Sequence, residues 1–406
     1  MGFLLGLGSL VLLGHVYLYW RLVLSTGSGR RWRITGAVVL GALFVVLMTA
    51  FATQRSGPLQ QFTPLHAVGN VWLALVLYLV LALLVGELVR LVVLLVRRAR
   101  GTPRPARDAT PDGRPDSPAV RDPRRRLLLS RGIAVGAGVI AVGVTGWGVT
   151  QAVGPIRVVR TSVALPRLPA AFEGYRIAVV TDIHLGALSG VERTQRVVDL
   201  VNAEQVDLVA LVGDLVDGIP EQLFAAAEPL AGLQSRDGVL FTTGNHEYYS
   251  DAAAWVQALP ALGVTVLHNQ GFPIERGDDR LLVAGINDWS GADHDDPANL
   301  AAALADRRPD DVVVVMAHQP RQLEAVAATG ADLQLAGHTH GGQVWPFHLA
   351  VMAQQGTLAG LSRQGDTQLW TSRGAGFWGP PVRVGAPPDI GVIILVSGTG
   401  DTATHE

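Results

Sequence analysis

Five short segments in the second half of the chain carry side chains able to do metal chemistry: TDIHLG (181–186), GDLVDG (213–218), GNHEYY (244–249), AHQP (317–320) and GHTHGGQ (337–343). Together they offer Asp182, His184, Asp214, Asn245, His318, His338 and His340, a donor set of oxygens and imidazole nitrogens. A pair of divalent cations sharing a ligand needs about seven donors held at tight distances, and this number is present. Asp214 has two carboxylate oxygens and can bridge two ions, while Asn245 supplies an amide oxygen that adds no charge. The chemistry such a pair supports is hydrolysis, because two cations bring the pKa of a bridging water into the neutral range.

The spacing says which side chains can act together. Asp182 and His184 are two apart, as are His338 and His340, so on a straight strand each pair points to one side. His246 adjoins Asn245 and in an extended chain points elsewhere, which leaves it for proton or charge work. Gly213, Gly337, Gly341 and Gly342 permit tight backbone paths around the donors.

These clusters stand at the ends of apolar, strand-like runs: RIAVVTD, VDLVALVGD, GVLFTTG, VTVLHN, RLLVAGI, DVVVVMAH, DLQLAGH and DIGVIILV. Helix-like stretches at 191–204, 220–233, 251–262 and 319–329 fall between several of them, so sheets with helix-covered faces are expected. A rigid sheet edge would then fix the donors.

Composition narrows the chemistry further. Among 406 residues there is no cysteine, which excludes disulfides, thiolate metal sites, iron–sulfur clusters and a cysteine nucleophile. Lysine is also absent, excluding a Walker A phosphate loop and Schiff-base catalysis. A formal net charge of -2 gives no global field that would recruit nucleic acid, and none is expected as a partner.

The five motifs resemble the signature of the calcineurin-like metallophosphoesterases over about 158–400, with no ligand missing. The resemblance implies a sandwich of two mixed sheets flanked by helices. It implies that Asp182, His184, Asp214 and His340 hold one ion, and that Asp214, Asn245, His318 and His338 hold the other. His246 would stabilise the phosphoryl oxygens or protonate the leaving group. A hydroxide between the ions would attack a phosphomonoester or phosphodiester in line. Mn²⁺, Fe or Zn²⁺ suits so many imidazoles better than Mg²⁺ or Ca²⁺. The tail TSRGAGFWGPPVRVGAPPDI (371–390) is similar to one in bacterial membrane-associated or exported members of that superfamily.

The high hydrophobic content, 49%, is concentrated before residue 155. Apolar runs at 3–24, about 34–53, about 69–96 and about 132–153 are near or above bilayer-spanning length. The expected layout is three transmembrane helices in 1–97, a disordered basic linker over 98–130, a fourth membrane helix over 131–154, and the hydrolase domain over 155–406. Glu87 and Arg90 share a helix face and can pair. Gly132, Gly136 and Gly143 give the fourth helix small faces suited to close packing. Eleven arginines between Arg97 and Arg131, with four more between Arg21 and Arg33, mark the cytoplasmic side. The protein is thus expected to be a multi-pass membrane protein with its catalytic domain extracytoplasmic. PRRRLLLSRG (123–132) resembles a twin-arginine export signal.

Further candidates surround the donors. Asp217 and Glu247 adjoin ligands and can orient them. The acidic stretch NDWSGADHDD (287–296) either lines the cleft or is a solvated loop, the solvated loop being preferred. Arg373, Phe377 and Trp378 either meet substrate or build a turn. Trp345 and Phe347 either dip toward the bilayer or roof the site. Tethering points to phospholipid head groups, lipid-linked intermediates or wall polymers as substrate. The alternative is a non-catalytic membrane sensor or scaffold that binds a phosphorylated ligand.

Overall fold

The structure is a computed structural model and describes residues 2–54, 59, 62–100, 123–398 and 404–405. The chain forms two compact units: Met1–Ala50 with Val68–Gly146, and Phe51–Ala67 with Trp147–Glu406.

The first unit is helical. Helix α1 (Gly2–Leu18) continues as a π-turn over Tyr19–Leu24, followed by α2 (Arg30–Thr53), α3 (Thr63–Ala99) and α4 (Pro123–Val153). Among the described residues, three helices are long and apolar enough to cross a membrane: Arg30–Thr53, Thr63–Ala99 and Arg126–Val153. The four spans read from sequence therefore reduce to three on this criterion, because α1 has 17 regular residues before its hydrogen bonding changes to the π pattern. Most of the linker, 101–122, lies outside the described residues. Its expected end at 130 does not hold, because the helix already begins at Pro123. Proline suits a first helical turn, and the arginines and leucines that follow are good helix formers.

Several polar groups inside this unit are paired. Glu87 binds Arg21 at 2.5 Å and lies 3.6 Å from Arg90, so its main partner comes from the π-turn rather than from its own helix. Trp72 donates its indole N–H to His15 Nε2 at 2.9 Å, and His15 Nδ1 in turn donates to the Val11 carbonyl. Close helix approach occurs at Gly69, whose missing side chain admits Ala50. Gly132, Gly136 and Gly143 have none of the described atoms within 4 Å of the place a Cβ would take. Their small faces do not pack against any described residue.

The second unit is a sandwich of two mixed sheets. The first contains β1 (Arg157–Leu165), β2 (Arg176–Val180), β3 (Leu208–Val212), β4 (Val239–Thr242) and β5 (Val264–Val266). The second contains β6 (Gln270–Arg276), β7 (Asp279–Gly285), β8 (Val312–Met316), β9 (Leu333–Ala336), β10 (Gly360–Gln364) and β11 (Thr367–Thr371). Strands β12 (Asp389–Ser397) and β13 (Thr404–His405) return to the first sheet, giving the order β13-β1-β12-β2-β3-β4-β5 against β10-β11-β9-β8-β7-β6. Within them β2, β3, β4 and β5 run parallel, as do β7, β8, β9 and β11, so their carboxyl ends gather at common edges.

Alternation along the strands divides the core. Ile177, Val179, Leu208, Ala210, Val212, Val312, Val314 and Met316 point between the sheets with Trp370. Ala178, Val180, Val209 and Leu211 point outward, toward α5 (Val191–Ala203), α6 (Pro220–Ala227) and α8 (Ala252–Ala258), while the short helix α7 (Asn245–Ser250) leaves the end of β4. Val313 and Val315 face α9 (Leu300–Ala303) and α10 (Leu323–Ala328) on the opposite surface. Burial on both faces explains why these strands read as nearly unbroken apolar runs.

Trp370 is the largest aromatic side chain between the sheets. It is 1% exposed, its indole N–H reaches Thr161 Oγ1 at 3.3 Å, and its ring fills the place a side chain at Gly391 would need. Trp370→Ala is expected to lower unfolding stability by about 3–5 kcal/mol. Denaturant titration of the purified chain checks this, and an unchanged midpoint would show that the two sheets do not depend on this ring.

Candidate metal centre

Each expected ligand stands just beyond the carboxyl end of a parallel strand. Asp182 and His184 follow β2, Asp214 follows β3, Asn245 follows β4, His318 follows β8, and His338 and His340 follow β9. The strands that supply them belong to both sheets, so the donors converge where the two carboxyl edges meet.

The backbone route differs from the straight-strand expectation. Strand β2 ends at Val180, and Asp182 and His184 have φ of 55° and 50°. Asp214, His338 and His340 are also left-handed, with φ of 53°, 68° and 48°. Ordinary residues avoid this region, and five such residues in one cleft mark a backbone held by its surroundings for the sake of side-chain direction. His246 also departs from expectation. It lies in the first turn of α7, where Glu247 caps the helix by accepting the Gly244 N–H at 2.6 Å.

Two groups of donors result. Asp182, His184 and His340 bring one ligand atom each within 4.8 Å of one another, and so do Asp214, His318 and His338. Asn245 is buried, and its Oδ1 has no hydrogen-bond partner among the described atoms. A third group, His184, Asp217 and His246, adjoins the first.

Whether cations fit can be judged from the tautomers. His318 Nδ1 lies 2.7 Å from the Val212 carbonyl, which only accepts, so this nitrogen carries the proton. Nε2 is then a lone pair, yet it sits 3.1 Å from Asp214 Oδ2 without forming a hydrogen bond. Two facing acceptors need a cation between them or a second proton on the ring. His184 repeats the pattern: Nδ1 donates to Asp217 at 3.2 Å, which turns Nε2 toward His340 Nε2 at 3.0 Å and Asp182 Oδ1 at 3.7 Å. The donor set fits divalent cations.

Local electrostatics agree. Burial works against charging His318, but the Asp214 carboxylate outweighs it, aided by Asp182 and Asp288, and the ring is held well above the ordinary imidazole range. The surroundings of His318 therefore favour positive charge, whereas burial, with positive neighbours adding to it, holds His338 and His340 below the ordinary imidazole range. Burial also pushes the Glu247 carboxyl up to about 7, with the Asp214 charge adding to it. Glu247 is fully enclosed and accepts from the N–H groups of Asp214, Leu215 and Gly244, fixing the turn that carries the Asp214 carboxylate.

Asp217 does comparable work for two rings. One of its oxygens accepts from His184 Nδ1 and also from His246 Nδ1 in a very short contact, and the rings stand edge to face with centroids 4.5 Å apart. Burial alone would raise the Asp217 carboxyl, but the charges on His184 and His246 hold it well below the usual carboxylate range. The acidic stretch at 287–296 divides. Asn287 and Asp288 are fully buried, and Asp288 accepts from Gln319 at 3.0 Å beside His318, whereas Asp293 and Asp295 are exposed. The preferred solvated-loop reading fails for Asn287 and Asp288, because they lie directly beyond β7 in the sandwich.

Arg383 was not singled out by sequence. It is completely buried and donates to the carbonyls of Gly376, Ala386, Arg373 and Gly374, and to that of His340 at 3.2 Å. Its Nη2 also lies 3.1 Å from His340 Nδ1. The sequence signal was the glycine- and proline-rich tail around it, which offers many carbonyls and few side chains. In that tail Phe377 is buried beneath Arg193, which favours the turn-building role, while Trp378 lies 6.0 Å from the His246 ring. Arg373 pairs with Asp389 at 3.0 Å.

Comparison with known proteins places these residues in context. The family model for calcineurin-like phosphoesterases matches residues 175–342. A zebrafish (Danio rerio) transmembrane protein with metallophosphoesterase domain is 30% identical over 97% of this chain and 89% of its own length. A bovine (Bos taurus) protein of the same description is 33% identical over 68% of this chain and 64% of its own. An uncharacterized metallophosphoesterase of Helicobacter pylori is 32% identical over 68% of this chain and 73% of its own.

The shared oxygen of Asp217 makes a direct expectation. Asp217→Ala releases both rings and is expected to weaken divalent-cation binding about 10- to 100-fold. Calorimetric titration of metal-stripped protein measures this, and an affinity equal to wild type would remove Asp217 from any orienting role.

Proposed function

Because the chain belongs to the calcineurin-like phosphoesterase family, we propose that it is a membrane-anchored hydrolase of phosphomonoesters or phosphodiesters working with two divalent cations. In this reading Asp182, His184, Asp214 and His340 hold one ion, and Asp214, Asn245, His318 and His338 hold the other. The observation that carries it is the facing of His318 Nε2 and Asp214 Oδ2, two acceptors 3.1 Å apart in a buried cleft. When bound, such a cation pair supplies an activated water at neutral pH and offsets phosphoryl charge.

The protein's own groups prepare the reaction. The Val212 carbonyl and Asp217 set the ring orientations of His318 and His184. Glu247 fixes the backbone from which Asp214 projects. His246 is tied to Asp217 through Nδ1, which leaves its other nitrogen for a phosphoryl oxygen or the leaving oxygen. Tyr249 and Trp378 meet the His246 ring edge to face, with centroids 5.3 and 6.0 Å away, and give its surroundings aromatic surface.

We read the helical unit as a multi-pass anchor with α1 as a fourth span and 101–122 as part of a cytoplasmic linker. The arginines of 97–131 support a cytoplasmic position for that connection, which puts the phosphoesterase on the other side. Envelope phosphoesters, on lipid or wall polymer, then become the accessible substrates.

Purified protein with Mn²⁺ is expected to hydrolyse p-nitrophenyl phosphate or bis-p-nitrophenyl phosphate, to lose turnover on chelation, and to regain it on adding metal back. Asp214→Ala should abolish turnover. His246→Ala should lower kcat by roughly 10²- to 10⁴-fold while bound metal, counted by elemental analysis, is retained. Activity untouched by chelator, or a full-rate Asp214→Ala, would refute the two-cation hydrolase.

A further inference from the structure

Four large apolar side chains just beyond the last ligand motif stand in solvent. Trp345, Phe347, Leu349 and Met352 are between 42 and 65% exposed, at the start of and along α11 (His348–Gln355). That helix, HLAVMAQQ, contains no aspartate, glutamate, lysine or arginine. A cluster of this kind on a protein surface marks an interaction site rather than scattered apolar exposure.

The contacts beside it lead to the end of α4. The final turns of α4, Trp147–Val153, belong to the same compact unit as the sandwich. Gly148 lies so close to Val382 and Val384 that no side chain would fit there, and its carbonyl accepts the Arg383 N–H at 2.9 Å. Arg193 and Arg196 donate to the carbonyls of Ala152 and Val153, closing the helix end. Val384 in turn accepts the Trp345 N–H at 3.2 Å and is bridged to Val344. Trp345 is thus one hydrogen bond from the segment that seats the end of an apolar helix of membrane-spanning length. Trp147, 51% exposed one residue before Gly148, is the aromatic type that sits at a lipid–water boundary. The same segment reaches the metal centre, since Arg383 binds His340 and Gly342 packs directly on His348.

We propose that Trp345, Phe347, Leu349 and Met352 form a lipid-docking surface that seats the phosphoesterase on the bilayer entered by α4, and that its substrate is a phosphoester carried on a lipid. This rests on the reading of the chain as a membrane-anchored hydrolase. Apolar insertion beside the cleft holds the site at head-group height, where a lipid phosphate reaches it without leaving the bilayer.

The absence of cysteine makes the test direct. Leu349→Cys, and Asp310→Cys at the opposite end of β8 as a control, each give the full chain one site for an environment-sensitive nitrobenzoxadiazole label. In nanodiscs of phosphatidylcholine and phosphatidylglycerol, doxyl lipids should quench the label at 349 several-fold more than at 310, and aqueous iodide should do the reverse. Equal quenching at both positions would overturn the docking surface. Protection of position 349 from both quenchers would also overturn it, assigning the patch to a second copy of the chain.

Kinetics address the substrate. Leu349→Ser/Met352→Ser should lower kcat/KM on phosphatidic acid or phosphatidylglycerol in the disc at least about tenfold, with the chromogenic esters within about twofold of wild type. Wild-type turnover confined to the soluble esters would overturn the lipid substrate. Absence of turnover on every ester would instead refute the hydrolase reading, and the quenching result would still decide the docking surface.

Discussion

Charged and polar side chains that have been taken away from water must find partners, and the cleft between the two sheets is governed by that requirement. Asp182, Asp214, Glu247 and Asp288 have almost no solvent contact, and His184, His318 and His340 lie among them. Backbone N–H groups satisfy Glu247, a side-chain amide and a backbone N–H satisfy one oxygen of Asp288, and imidazoles satisfy Asp217. What remains after these pairings is a set of lone pairs that face one another around Asp182 and Asp214. Divalent cations resolve that arrangement, and no apolar packing could.

The sandwich provides the stiffness. Left-handed backbone at five donor positions is costly, of order 1–3 kcal/mol each, and persists only where strands on both sides fix the chain before and after the turn. Strands β3, β8 and β9 are buried along their whole length, and β2 from Ile177 onward, so they deliver the turns from rigid ends. Gly213 shows how tight the result is: with φ of 76°, it passes so close to Gly244 and His318 that a side chain there would collide with both.

The sequence disclosed the donors and the strands that carry them because both leave local signals: unbroken β-branched runs, then a polar residue beside glycine. All eight strand-like runs lie on strands, and the predicted helices at 191–204 and 220–233 begin at Val191 and Pro220 as expected. Strands β1, β6, β10, β11 and β13 went unrecognised; β6 contains Pro273, β10 reads GLSRQ, and β1 carries arginines on an otherwise alternating pattern. Their pairing is set by partners far along the chain, as when β1 lies parallel to β12 over nine residues. Arg383 was harder to read, since the carbonyls of its own glycine- and proline-rich tail enclose it only once that tail folds back on His340, 43 residues earlier. The helical unit shows the limit of composition. Gly132, Gly136 and Gly143 in α4 looked like a packing face, yet in the helical unit a close approach is made instead by Gly69 against Ala50.

In the proposed reading, the single oxygen of Asp217 that serves His184 and His246 ties a cation-binding ring to the ring nearest the leaving group. Neither imidazole can turn, or change its proton, without the other registering the change through that atom. On that reading the two functions are mechanically and electrically one part, and remodelling leaving-group preference in this cleft would alter the grip on metal as well.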